Sequence, residues 1–290
     1  MADRKNGDVG VCRMEYDPVI SHIGLHKWEE PCISGTDENR GSGTVFFSGC
    51  SLRCVYCQNH EISFAPKGKK MSLEELHLAI EGLIDSGAHN INFVTPTHYS
   101  YVIEELNKVY SHPRVPVVYN TGGYERVSTI KALEGAVDVF LTDIKYASAD
   151  VGIKYSRAMD YTEHSVNAAK EMCKITGDYY INNDGIMERG VIIRHLVLPG
   201  CAKDSMRVME LIAEELLPIA KVKVSIMSQY TPVVKGLPDE LNRKIKAIEY
   251  KAVCAHAIKC SIPSEDIYVQ EMDSATSQYI PRFNMIDKNI

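Results

Sequence analysis

Apolar residues in this chain follow two alternating rhythms. Short runs that are nearly all apolar lie at 43–49, 91–94, 115–119, 137–144, 191–198 and 222–227. Runs of this length and density suit strands buried on both faces. Between them apolar residues return every three to four positions, as in Leu73, Leu76, Ala79, Ile80 and Leu83. That period predicts helices over 72–85, 101–109, 126–133, 163–176, 204–220 and 238–257. Ser72 with Glu75 three residues on forms a capping box at the first of them. A last short strand is expected at 268–270. Strands alternating with helices predict an α/β fold with a parallel sheet, either doubly wound or rolled into a closed or partial barrel. Residues 1–42 read as an irregular N-terminal wrap, 43–265 as the core and 266–290 as a C-terminal extension. No linker-like stretch divides the chain, so a single domain over 1–290 is expected.

Polar residues collect where strands end and helices have not begun. These clusters are Thr95-Pro96-Thr97-His98, Asn120-Thr121-Gly122-Gly123, Asp143-Ile144-Lys145, Pro199-Gly200 and Ser228-Gln229-Tyr230. In an α/β barrel such loops share one face, and that face carries the site.

Composition narrows the class. The 290 residues are 45% hydrophobic and 24% charged, ordinary globular usage, with a net charge of -6. The acidic balance gives no general attraction for a nucleic-acid backbone. No apolar run reaches the roughly 20 residues that span a bilayer, and MADRKNGDVG lacks the apolar core of a signal peptide. A cytoplasmic protein with reduced thiols, without nucleic-acid or membrane partners, is therefore expected.

Nine cysteines stand out. Six are scattered and read as inert thiols. Cys50, Cys54 and Cys57 fall within eight residues at spacing C-x3-C-x2-C, directly after the first predicted strand. Three thiolates in one short loop suit a metal centre. A zinc site needs a fourth ligand, for which His60 is at hand. A [4Fe–4S] cube held by only three thiolates leaves one iron open to an exogenous ligand.

This spacing, with Tyr56 before the third cysteine and Gly49 and Asn59 as flanks, resembles the radical S-adenosylmethionine (SAM) superfamily. The words HKWEEPCISG, GSGTVFFSGCSLRCVYCQNHEIS, NINFVTPTH, TDIKYAS and RHLVLPG look like its pyruvate formate-lyase activating enzyme-like group. The resemblance implies a partial (β/α)6 TIM-type barrel with N-terminal and C-terminal extensions. It implies a [4Fe–4S] cluster on Cys50, Cys54 and Cys57 and an open iron that binds SAM. An external reductant such as flavodoxin or ferredoxin would supply the electron, and a 5′-deoxyadenosyl radical would abstract hydrogen. The usual glycine-glycine-glutamate after the second strand is replaced here by Thr95-Pro96-Thr97.

On this resemblance Tyr56 is expected beside the adenine, and Thr95, Thr97, Asn120, Thr121, Gly122 and Arg194 around the rest of SAM. Glu61, Asp143, Lys145 and His195 are the candidates for catalysis, with Gln229, Glu271 and Asp273 as further strand-end polar groups. Arg194 and His195 are neighbours on one strand and so face opposite sides. Residues 12–42, with Glu29-Glu30-Pro31, and the tail from Tyr279 to Phe283 are expected to cover the barrel mouth. A covered mouth favours a small-molecule lyase, with queuine lyase as the specific expectation. The alternative is an activating enzyme that installs a glycyl radical on a partner.

Overall fold

The computed structural model describes residues 4–271. Ten strands form its sheet: β1 (Val19–His26), β2 (Gly41–Phe47), β3 (Lys69–Lys70), β4 (Ala88–Val94), β5 (Val117–Thr121), β6 (Val139–Asp143), β7 (Tyr180–Ile181), β8 (Met187–Leu196), β9 (Lys223–Met227) and β10 (Ile267–Val269). The spatial order is β10-β9-β8-β6-β5-β4-β2-β1-β3, with β7 beside β8. From β2 to β10 along this path every pairing is parallel, and β1, β3 and β7 pair antiparallel. The sheet is open: β3 and β10 are its two ends. The expected α/β fold is thus present as a mostly parallel, unclosed sheet.

All six predicted apolar runs are strands, because their residues are buried on both faces; β2 and β5 have no exposed position. The capping box forms as the sequence implies. Ser72 Oγ accepts from the Glu75 amide at 3.1 Å, and Glu75 Oε2 accepts from the Ser72 amide at 2.8 Å. Two predicted elements change. The helix expected at 238–257 is a short 3-10 turn at Asp239–Leu241 and a helix only over Ala247–Lys259. The Lys246 amide donates to Glu249 there, which starts the helix late. Within 1–42, Val19–His26 is a strand and not irregular wrap. Its Ile23 and Leu25 alternate with His22, Gly24 and His26, and β2 offers it an edge.

The main core lies between the sheet and the outer helices. A second cluster fills the inside of the curved sheet: Val118, Val139, Leu141, Met187 and Ile192, joined by Cys32 and Ile33 from the short helix Pro31–Ser34. Asn90 holds that helix by donating to the Ile33 carbonyl at 2.7 Å. Residues 31–34 therefore plug the inside of the sheet, which corrects the expectation that this segment covers the mouth. The C-terminal tail and Asp273 lie outside the described residues. Among the described residues no helix is long and apolar enough to cross a membrane.

Candidate functional site

A cavity of about 500 Å³ opens where the parallel strands end. That volume is in the range of small-molecule sites. Its upper wall is the loop after β2. Gly49 begins that loop with φ +83°, and an added Cβ would come within 2.3 Å of Met14 Cγ, so glycine is required. The Val55 amide donates to the Tyr155 carbonyl at 2.8 Å and the Cys57 amide to the Cys54 carbonyl at 3.2 Å. This tie to a distant helix sets the loop's conformation. Cys50, Cys54 and Cys57 all line the cavity.

Burial, followed by the neighbouring thiols, pushes the Cys50 thiol up to about 12 and Cys57 to about 11; burial also raises Cys54. The three thiols are neutral in this state, and a bound metal centre would displace their protons. Among the described residues no three His, Cys, Asp or Glu side chains close on one point as a single ion requires. His60 instead places Nδ1 3.2 Å from the Cys57 carbonyl. Three soft thiols that line one cavity without closing on a single point fit a polynuclear iron–sulfur cluster better than a lone zinc ion.

A hydrogen-bond chain ends on this loop. Tyr56 Oη lies 2.6 Å from Tyr146 Oη, and Tyr146 Oη lies 2.6 Å from Ser156 Oγ. Ser156 Oγ then donates to Cys54 Sγ at 2.9 Å. Tyr56 lines the cavity as expected of an adenine neighbour, but its hydroxyl is committed to this buried chain.

The next strands supply the polar rim. Thr95, Thr97, Asn120, Thr121 and Gly122 line the cavity. Thr95 has φ +58°, a costly conformation for a β-branched residue. Its amide donates to the Asn120 carbonyl at 2.8 Å, which ties the ends of β4 and β5 together. The Thr97 and Thr121 hydroxyls both donate to Glu125 Oε1 at 2.6 Å, and Tyr119 Oη does so at 3.1 Å. With their protons turned toward Glu125, the oxygens of these threonines are left as acceptors. Burial raises the Glu125 carboxyl from 4.5 to about 7 against the pull of those three donors. Sequence reasoning missed Glu125; an acid in a loop between glycines and a helix carries no local sign of burial.

β6 and β8 bring Asp143 and Arg194 side by side in register. Asp143 and Lys145 form an ion pair at the cavity wall. Burial works against the Lys145 charge, but Asp143 outweighs it and holds the ammonium well above its ordinary range. Arg194 points into the cavity, where Glu29 and Glu30 both meet it. Glu30 takes the guanidinium through Nε at 2.9 and 3.2 Å and through Nη2 at 2.8 Å. Burial favours a neutral Glu30, yet the Arg194 charge and hydrogen bonds keep its carboxyl below the usual range.

Two candidates are misplaced. His195 faces the helices: it is 1% exposed, its Nδ1 lies 2.7 Å from the Ile144 carbonyl, and it does not line the cavity. Period-two alternation puts Arg194 inside and so His195 outside. Glu61 is exposed and paired with Lys67 at 2.6 Å, away from the cavity. Glu271 is also exposed, whereas Gln229 does line the cavity.

Comparison with known proteins decides the family. The radical SAM superfamily model matches residues 44–212, more than half of the chain and all of the strands from β4 to β8. The chain belongs to the radical SAM superfamily. Members of this superfamily use a [4Fe–4S] cluster and SAM. An uncharacterized protein of Methanocaldococcus jannaschii is 29% identical over 254 residues, covering 81% of this chain and 65% of that protein. The chain thus spans just under two thirds of this relative's length. The fold is shared with Streptococcus suis SuiB bound to S-adenosylmethionine (11% identity, 81% of this chain and 52% of that one, TM-score 0.51). It is shared with HydG, a maturase of the [FeFe]-hydrogenase (16% identity, 81% and 52%, TM-score 0.52). A spore photoproduct lyase is similar too (12% identity, 77% and 74%, TM-score 0.51). These radical SAM enzymes have the partial TIM barrel seen here as an open sheet.

Proposed function

We propose that this radical SAM enzyme acts on a small, polar, purine-like molecule held inside its barrel. Queuine is our candidate substrate, and the reaction is then a lyase step that releases the aminomethyl-deazaguanine. The observation that carries this reading is that one cavity is lined both by the three thiols and by the Glu29–Arg194–Glu30 ion cluster. The words HKWEEPCISG and RHLVLPG, which contribute those ionic residues, support a place in the pyruvate formate-lyase activating enzyme-like group.

Cys50, Cys54 and Cys57 would hold the [4Fe–4S] cluster. A cluster bound there and reduced by an external flavodoxin or ferredoxin would supply the electron for reductive cleavage of SAM. The protein's own residues do the rest. The acceptor oxygens of Thr97 and Thr121 suit the SAM ammonium, and Asn120 and Gly122 suit its ribose or carboxylate. Tyr56, which lines the cavity, would pack against the adenine. The Asp143–Lys145 pair lines the same cavity and would border the reacting groups, and the apolar plug at 31–34 would keep water out from below.

The test is anaerobic reconstitution followed by assay of 5′-deoxyadenosine with and without queuine. About four irons per chain are expected, with queuine-dependent product and loss of iron and SAM cleavage in Cys54→Ala. Colourless protein with stoichiometric zinc would overturn the assignment of the cysteines. A glycyl radical installed on a partner, with queuine ignored, would replace the lyase by an activating enzyme.

A further inference from the structure

The buried charges of the cavity do not cancel. Three carboxylates (Glu29, Glu30, Asp143) face two cations (Lys145, Arg194). Lys27, at the rim, is exposed and its ammonium is bonded to the Glu38 carbonyl. Asp143 is matched by Lys145, and Glu30 takes Arg194 through three contacts. Glu29 is left sharing one guanidinium nitrogen, Nη2, that Glu30 already uses. Its other oxygen, Oε1, has only the amides of Asn92 and Asn120, each at a long 3.5 Å. The surplus negative charge of the cavity therefore sits on Glu29, whose side chain is 9% exposed.

A second observation marks the same place. Asn92 is wholly buried, presents its amide to Glu29, and has no partner for its own Oδ1. A largely buried carboxylate whose free oxygen has only two long protein donors has acceptor capacity left for a ligand. A cavity ligand that brings N–H donors would meet Glu29, which lines the cavity, while Asn92 backs it from behind. Glu29 itself is held rigidly: its amide donates to Ser34 Oγ at 3.0 Å, and the Pro31–Ser34 helix is packed in the sheet interior.

We infer that Glu29 is the specificity-determining residue of the substrate site, accepting two adjacent N–H donors from the planar edge of a guanine-like base. This rests on the purine-like reading above. Glu30 and Arg194 are positioning residues, because they fix the Glu29 carboxylate and do not themselves present a free acceptor pair.

The probes are 7-deazaguanine, which carries both donors, and 7-deazahypoxanthine, which lacks the exocyclic amine. Binding of each is measured calorimetrically on reconstituted holoenzyme with SAM present. The wild type should prefer 7-deazaguanine by tenfold or more. In Glu29→Gln one acceptor becomes a donor, so the preference should collapse toward unity while iron content and SAM binding stay. The preference is a ratio within one preparation and does not depend on the folded fraction; Glu29→Asp, which keeps the charge, should retain part of it. An unchanged preference in Glu29→Gln would overturn the inference and leave the purine-like reading standing. Failure of both probes to bind wild type that still binds SAM would overturn the two together.

Discussion

Glu125→Gln should remove a pH-dependent loss of stability from the protein without cluster. Glu125 is 3% exposed and accepts from Thr97, Thr121 and Tyr119. Burial raises its carboxyl from 4.5 to about 7. A raised folded-state value means the fold binds this proton more tightly than the unfolded chain does. The stabilisation is complete below pH 4.5 and is lost as pH rises through about 7. The shift corresponds to roughly 3 kcal/mol at ~1.4 kcal/mol per unit. With an unfolding entropy of about 2.1 cal/mol/K per residue, that amounts to a fall in Tm of roughly 5 °C. Glutamine is uncharged throughout and keeps the one oxygen to which all three hydroxyls donate. Thermal unfolding of both proteins from about pH 5 to about pH 8.5 gives the comparison, because contributions from other titrating groups cancel in the difference. The wild type should lose ground to the variant across this interval. Parallel profiles would refute the reading of Glu125 as a buried, proton-holding carboxyl.

Two further outcomes follow from the site. Ser156→Ala removes the hydrogen bond on Cys54 Sγ, and donors to cluster sulfurs raise the reduction potential. The midpoint from an EPR-monitored titration should therefore fall by on the order of tens of mV, with Tm of the cluster-free protein little changed. Arg194→Met leaves Glu29 and Glu30 as uncompensated buried carboxylates. It should cost about 3–5 kcal/mol in denaturant unfolding near neutral pH, and part of that loss should be recovered in acid as the carboxylates protonate.

The fold was legible in the sequence where one rhythm dominates. The apolar runs that became β2, β4, β5, β6, β8 and β9 are buried on both faces, so composition alone marks them. The strand Val19–His26 was not, because glycine and two histidines interrupt it and its partner lies downstream at Gly41–Phe47. The cysteine loop was legible because three thiols at fixed spacing have few other uses. Alternation along β8 established that only one of Arg194 and His195 faces inward, but the choice needs the register against Asp143 and Ser225. Glu29 and Glu30 were expected only as part of a segment covering the mouth, and residue type gives no sign of their pairing with Arg194. Only the apolar Pro31-Cys32-Ile33 beside them hints that the segment is drawn inside, and Glu125 lacks even that hint.

The contacts that shape the cysteine loop bear on when the protein becomes competent during synthesis. The loop spans 50–57, yet its backbone is tied to Tyr155 and Cys54 Sγ to Ser156, 102 positions later in the chain. A ribosome that has released only the first three parallel strands exposes all three thiols without the partners that set their arrangement. Iron–sulfur delivery to so short a nascent chain would meet an unstructured ligand set open to adventitious metals. The loop can take the shape seen here only once the helix Ala149–Ser156 has emerged, so a cluster held by these thiols would find its site formed only after residue 156. The Glu30–Arg194 contact, 164 residues apart, closes the floor later still. The partners of the cysteine loop thus leave the ribosome before Arg194, which completes the ion cluster lining the same cavity.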